Sequence, residues 1–147
     1  TLRSTRRQRQ MCIRDRSTGG TAAGLAVGAS LAPADLRIEV VAVHGPADET
    51  EAAVAQLAEA TADLLGAPAP DAGQRSVHDE HLGTGYGIET AASREALELL
   101  ARTEGVVLDP VYTAKAFAHL LATLPEREGD HVVLLHTGGQ PGVFAYG

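Results

Sequence analysis

Along this chain the apolar positions switch repeatedly between a helical and a strand-like period. Thr21 to about Leu31 is small and apolar, which predicts a helix able to pack closely against a sheet. Leu36 to Val43 is β-branched and mostly apolar, the signature of a buried strand. Asp48 and Glu51 form a capping-box-like start for the next helix. Val54, Leu57, Ala58, Leu64 and Leu65 recur on its apolar face, Thr61 is that face's one polar member, and Gly66 stops it. A Pro/Ala/Gly linker covers 66–73. Thr90 to Arg102 predicts a second amphipathic helix closed by Gly105. Val106–Leu108 reads as a short strand ended by Asp109-Pro110, Tyr112 to Leu124 as a helix closed by Pro125, and Val132 to Leu135 as a last buried strand. This βαβ rhythm predicts an α/β fold, a parallel sheet with flanking helices.

Charge divides the chain. Residues 1–16 hold six basic residues and one acid, a net +5, while the other 131 carry six basic residues and eighteen acids, a net −12. The only Met and the only Cys also fall in that first segment. A basic arm for RNA is one reading. The other, adopted here, is that 1–16 is non-native or disordered, since MCIRDR resembles translated sequencing-adaptor sequence. Residues 17–147 are then the folded unit. An overall charge of −7 argues against a nucleic-acid partner. No apolar run approaches about 18 residues, so no membrane span is expected. One cysteine, Cys12, gives no disulfide framework and suits a reducing cytoplasm.

Four stretches carry candidate chemistry. Ser17-Thr18-Gly19-Gly20-Thr21 is a small-residue loop entering a helix, a composition that lets backbone N–H groups and the helix dipole meet one phosphate. Asp79-Glu80-His81-Leu82-Gly83-Thr84-Gly85-Tyr86-Gly87-Ile88 follows, then Leu108-Asp109-Pro110-Val111-Tyr112-Thr113-Ala114-Lys115-Ala116, then His136-Thr137-Gly138-Gly139-Gln140-Pro141-Gly142. The last three stand at strand ends and helix starts, where parallel α/β folds place ligands. His78 to His81 could suggest zinc, but no third ligand with defined spacing is evident, so an acidic surface loop is expected and no metal. His44 and His119 read as structural. Lys115, the chain's only lysine, is the obvious imine-forming amine, yet a lysine in a helix's first turns is expected to be solvated.

Taken together, the four blocks resemble the C-terminal half of the pyridoxal-phosphate enzymes that include D-cysteine desulfhydrase and 1-aminocyclopropane-1-carboxylate deaminase, with their tryptophan-synthase-β-like (fold type II) architecture. Family members carry a Gly/Ser/Thr-rich loop, a DE-x-x-G-x-GYGI stretch, an LDPVYTGKA stretch and a final H-(T/L)-GG-x-P. Here Ala114 replaces the glycine of the third, and His81 stands where tyrosine is common. The resemblance implies that Thr18, Gly19, Gly20 and Thr21 hold the cofactor's phosphate, that Tyr86 and Tyr112 flank cofactor and substrate as catalytic residues, and that Thr137 faces the pyridine nitrogen. Thr113 stands where the deaminase branch has glutamate. A neutral residue there keeps the pyridine ring a weaker electron sink, adequate when a good β-leaving group departs.

The implied function is a pyridoxal-5′-phosphate-dependent lyase acting on a small amino acid, D-cysteine first, with release of pyruvate, sulfide and ammonia. The deaminase activity stays open, as does a non-catalytic phosphate- or nucleotide-binding α/β module. The resemblance places the cofactor-anchoring lysine and a catalytic serine in an N-terminal half with no counterpart here. The chain alone is therefore expected to be inactive, and the full-length parent to be a homodimer.

Overall fold

The computed structural model describes residues 19–32, 36–127, 129 and 131–145. Residues 1–16, together with Thr18 of the expected phosphate loop, lie outside them.

Helix α1 spans Gly20–Leu31, strand β1 Ile38–Val41, helix α2 Ala47–Leu65, strand β2 Arg75–His78, helix α3 Ala91–Glu104 and helix α4 Thr113–Thr123. The two strands pair in parallel, with Ile38 opposite Arg75 and Val41 opposite His78. Side chains alternate across this small sheet. Ile38 and Val40 enter a core with Ala22, Ala23, Ala26 and Val27 of α1 and Val54, Ala58 and Ala62 of α2, and Val77 packs on its margin. Val41 points the other way, against Ala116 and Leu120 of α4. The sheet is thus covered by α1 and α2 on one face and α4 on the other, with α3 packed on α4.

The direction of the helices follows from their contacts. Gly19 lies against Val54, and the Ser30 hydroxyl donates to the Pro68 carbonyl at 3.2 Å, so α1 and α2 run side by side in the same direction. Because α2 starts just after β1 ends, both helix N-termini lie at the carboxyl edge of the sheet.

Several local expectations are revised. Helix α2 is capped not by a box between Asp48 and Glu51 but from afar. The Ala47 N–H donates to the Asp79 carboxylate at 2.9 Å, while Glu51 pairs with Arg75. Its buried stripe is Thr50, Val54, Ala58 and Ala62, whereas Leu64 and Leu65 are 85% and 64% exposed. Gly66 ends it as expected, left-handed at φ 62° with Ala67 N–H returning to the Ala62 carbonyl. Thr90 caps α3 in a reciprocal box with Ser93. Helix α4 gives way at Leu124 to a 3₁₀ turn through Arg127 that contains Pro125.

The strand expectations at 106–108 and 132–135 are also corrected. Val106 to Leu108 runs without a ladder, and near the last stretch only His131 and Leu134 make isolated bridges. Apolarity signals burial, but a strand also needs a neighbour to pair with, and among the described residues the sheet is β1 and β2 alone. Conversely, β2 was not foreseen. With Val77 its one apolar residue, it is a strand because β1 pairs with it. His78 therefore belongs to a strand and turns inward, rather than lying in an acidic surface loop.

Candidate functional site

The carboxyl edge of the sheet gathers most of the expected site. Gly19 is the N-cap of α1 at φ 65°, and a Cβ there would come within 3.3 Å of Val54, so glycine satisfies both the backbone and the space. The first turn of α1 carries no acidic residue, which leaves its dipole uncancelled toward an anion. At the same edge, after β1, the His44 ring meets the Tyr86 ring edge-on at 4.7 Å.

Tyr86 and Tyr112 come together although 26 residues separate them. Their hydroxyl oxygens are 2.6 Å apart, a short hydrogen bond in which either can donate. The ring centroids stand 6.2 Å apart. Tyr86 is 48% exposed, so the pair is open to a ligand on its outer side.

Behind Tyr112 lies a buried knot built on Asp109. Oδ1 accepts from the N–H groups of Val111 at 3.0 Å and Tyr112 at 2.6 Å. Oδ2 accepts from the Thr113 N–H at 2.9 Å and from its hydroxyl at 2.6 Å. The Asp109 N–H in turn donates to Thr113 Oγ1 at 3.1 Å. An acid placed here satisfies the orphan donors of the α4 N-terminus and complements its dipole. The glycine pair after Thr137 closes on the same acid. Gly139 has φ 91°, and a Cβ would sit 2.7 Å from Asp109 Oδ2, so nothing larger fits without moving the knot.

The loop bearing Tyr86 is pinned along its length. Asp79 caps α2, and Lys115 Nζ donates to the Leu82 carbonyl at 2.7 Å. Gly83, at φ 75°, would place a Cβ 2.7 Å from Thr90 Cγ2. Lys115 is fully buried, contrary to the expectation of a solvated side chain. Burial lowers its pKa from the usual 10.5.

Of the expected site residues, Tyr86 and Tyr112 touch, and Thr137 is exposed on the loop that packs against Asp109. Thr113 is buried with its hydroxyl engaged by Asp109. Gly19, Gly20 and Thr21 sit at the α1 N-terminus on the same sheet edge. Sequence reasoning passed over Asp109, whose signal was an acid four residues before a helix-starting threonine. It also passed over His136, which buries both ring nitrogens without a hydrogen-bond partner directly before Thr137.

Comparison with known proteins identifies the family. The model of the pyridoxal-phosphate dependent enzyme family matches residues 16–138. A D-cysteine desulfhydrase of Yersinia pestis (strain Pestoides F) is 39% identical over 132 residues, covering 88% of this chain and 40% of that protein. One of Salmonella paratyphi C (strain RKS4594) is 37% identical over 134 residues with the same coverage. A solved structure described as an ACC deaminase homologue superposes with a TM-score of 0.81 at 30% identity, over 92% of this chain and 41% of its own. The chain spans about 40% of the length of the curated relatives it matches. It belongs to the pyridoxal-phosphate dependent enzyme family.

Proposed function

We propose that this chain forms the C-terminal part of the catalytic domain of a D-cysteine desulfhydrase-type lyase, converting D-cysteine and water to pyruvate, sulfide and ammonia. The observation that carries the reading is the hydroxyl pair of Tyr86 and Tyr112 at 2.6 Å, set at the sheet edge that also holds the α1 N-terminus.

The residues present suit pyridoxal phosphate. Gly19, Gly20 and Thr21 offer a helix N-terminus to its phosphate, and Thr18 precedes them in sequence. Thr137 and His136, whose ring nitrogens have no hydrogen-bond partner, add polar groups on the loop that closes on Asp109. Once bound, the cofactor supplies an electron-withdrawing ring that stabilises negative charge at the substrate α-carbon.

The chain's own residues then orient and hold protons. Asp109 fixes the Tyr112 backbone, and Tyr112 fixes Tyr86 through the shared hydrogen bond. One proton of the pair lies between the two oxygens, and Tyr86, half exposed, carries the pair toward the outer side. A hydroxyl placed there can donate to a departing sulfur or to the substrate carboxylate. Thr113 serves the site through Asp109, as a positioning residue.

The test is complementation. The isolated 147-residue chain is expected to release no sulfide from D-cysteine, and to release it when combined with the N-terminal portion of a related desulfhydrase. In that reconstituted enzyme Tyr86→Phe should lower kcat by roughly 10²-fold, the scale of one lost proton-transfer group. Deamination of 1-aminocyclopropane-1-carboxylate without sulfide release would favour the deaminase activity instead. Turnover by the chain alone, with cofactor trapped on Lys115 by borohydride, would overturn the scheme.

A further inference from the structure

Away from the tyrosines, the C-terminal half of α4 faces the polar side of the sheet. Register puts Glu39 and His78 on that side, beside Val41. His119 meets both. Its Nε2 is 3.5 Å from Glu39 Oε2, and its ring lies 4.3 Å from that of His78. One ligating atom each from Glu39, His78 and His119 lies within 4.8 Å of the others.

We propose that Glu39, His78 and His119 form a binding site for a divalent transition-metal ion of the zinc class. Two imidazoles and one carboxylate are the donor set such an ion takes when it keeps a position open for water. Four arguments support the site beyond the residue types.

His119 is only 4% exposed, yet its Nε2 makes no well-formed hydrogen bond and faces Glu39 Oε2 only at 3.5 Å. A buried ring nitrogen left without a partner costs free energy that a metal bond would recover. One of the rings is backed as ligating histidines usually are. Ser76 Oγ is 3.0 Å from His78 Nε2, so that ring can be oriented through one nitrogen and ligate through the other, while the Glu80 carboxylate lies 4.0 Å from His119 Nδ1 and adds negative charge beside it.

A cavity of about 330 Å³ opens beside the three residues, with Glu80 and Glu126 also in its wall. Three carboxylates there face one guanidinium, that of Arg127, so the cavity favours a cation. Finally, the packing is close to what an ion needs. Tetrahedral ligands on bonds of about 2.1 Å stand about 3.4 Å apart, so a set lying within 4.8 Å must contract by about 1.4 Å at most.

Arg127 is the competitor. Its guanidinium pairs with Glu39, is steadied by Thr123 Oγ1 at 2.9 Å, and with His119 holds the Glu39 carboxyl at about 2 although burial alone would raise it. A metal ion must therefore share Glu39 with Arg127 or displace it. That competition gives the proposal a variant whose effect is a gain.

The experiment titrates the full 147-residue chain, carrying Cys12→Ser to remove its single thiol, with Co²⁺ and Zn²⁺. One Co²⁺ is expected to bind with intense visible bands, to be displaced by Zn²⁺, and to raise Tm by several degrees. His78→Gln and His119→Gln should each weaken binding by about 100-fold or abolish it, and Glu39→Gln by about tenfold. Arg127→Gln should tighten binding by about tenfold, a gain that misfolding cannot produce. Saturable binding that survives both histidine substitutions would place the ion elsewhere and overturn the proposal. So would the lack of binding in both the parent chain and Arg127→Gln.

Discussion

The two ends of α4 carry comparable sets of polar side chains and use them in opposite ways. At the N-terminal end, Asp109 receives four hydrogen bonds, and Thr113 and Lys115 are spoken for by Asp109 and the Leu82 carbonyl. At the other end, His119 is buried with Nε2 lacking a well-formed hydrogen bond. Both ends are buried in an 11-residue helix of about 16 Å. A saturated network leaves no unmet bonding capacity for a ligand, so its members hold other groups in place, here Tyr112 and the Thr137 loop. A network with an unmet donor or acceptor stores a cost that something else can remove. The proposed catalytic face is therefore built in front of the satisfied end, and the proposed metal site is the unsatisfied end itself.

The largest expected effect falls on the saturated end. Asp109→Ala strips acceptors from three backbone N–H groups and one hydroxyl at a helix start, all of them buried or nearly so. Bonds to a charged acceptor are worth about 1.5–3 kcal/mol each, and they do not add fully. A loss of at least about 3 kcal/mol is expected, or failure to fold, as measured by urea unfolding. A loss below about 1 kcal/mol would mean that the Asp109 network does not hold this end together, and the comparison would fail.

How much of this was legible depends on the kind of signal. Helices α1, α3 and α4 were readable because their own residues encode them, as were the Gly105 stop of α3 and the Gly66 stop of α2. Of the four candidate blocks, two meet directly at Tyr86 and Tyr112. Strand β2 was not readable, since RSVH has a single apolar residue and its pairing with β1 lies 37 residues away in sequence. The cap on α2 was misread for the same reason, because its acceptor is Asp79, 32 residues on. The histidine cluster also needed the third dimension. One hint lay in plain view: Lys115, His119 and Thr123 recur every fourth residue beside the apolar Ala116 and Leu120, so a polar stripe borders the buried face of α4. A glutamate inside the apolar run Ile38–Val41 was the matching hint from the sheet.

Lys115 sharpens the comparison through pH. It belongs to the satisfied end by its bond to Leu82, yet its charge is buried, and that burial sets its folded pKa below the unfolded 10.5. Between those two values the unfolded chain binds more protons, so this residue makes stability rise with pH across that window and adds no slope below the folded value. Lys115→Met is expected to remove that rise. Melting temperature against pH, compared between the two proteins from neutral pH to 10.5, should show the curves converging toward the alkaline end. Parallel curves would mean that the amine keeps an ordinary pKa and reaches water.

The smallest effect should come from the unsatisfied end. His119→Phe, measured with a chelator present, deletes a buried nitrogen that makes no well-formed hydrogen bond and keeps a flat ring against His78. Glu39 loses one neighbour but retains Arg127. Removing an unpaired buried polar atom recovers part of its desolvation cost, whereas the larger phenyl ring must be accommodated among side chains already in contact. These terms oppose each other and each is about 1 kcal/mol, so the change in unfolding free energy should stay within about 1 kcal/mol of zero. The contrast with Asp109→Ala is the point of the measurement: two buried polar residues, one capping the start of α4 and one within it, one removed at great cost and one at almost none. If His119→Phe proves as damaging as Asp109→Ala, the imidazole is bonded in the folded protein, and the two ends of α4 are alike after all.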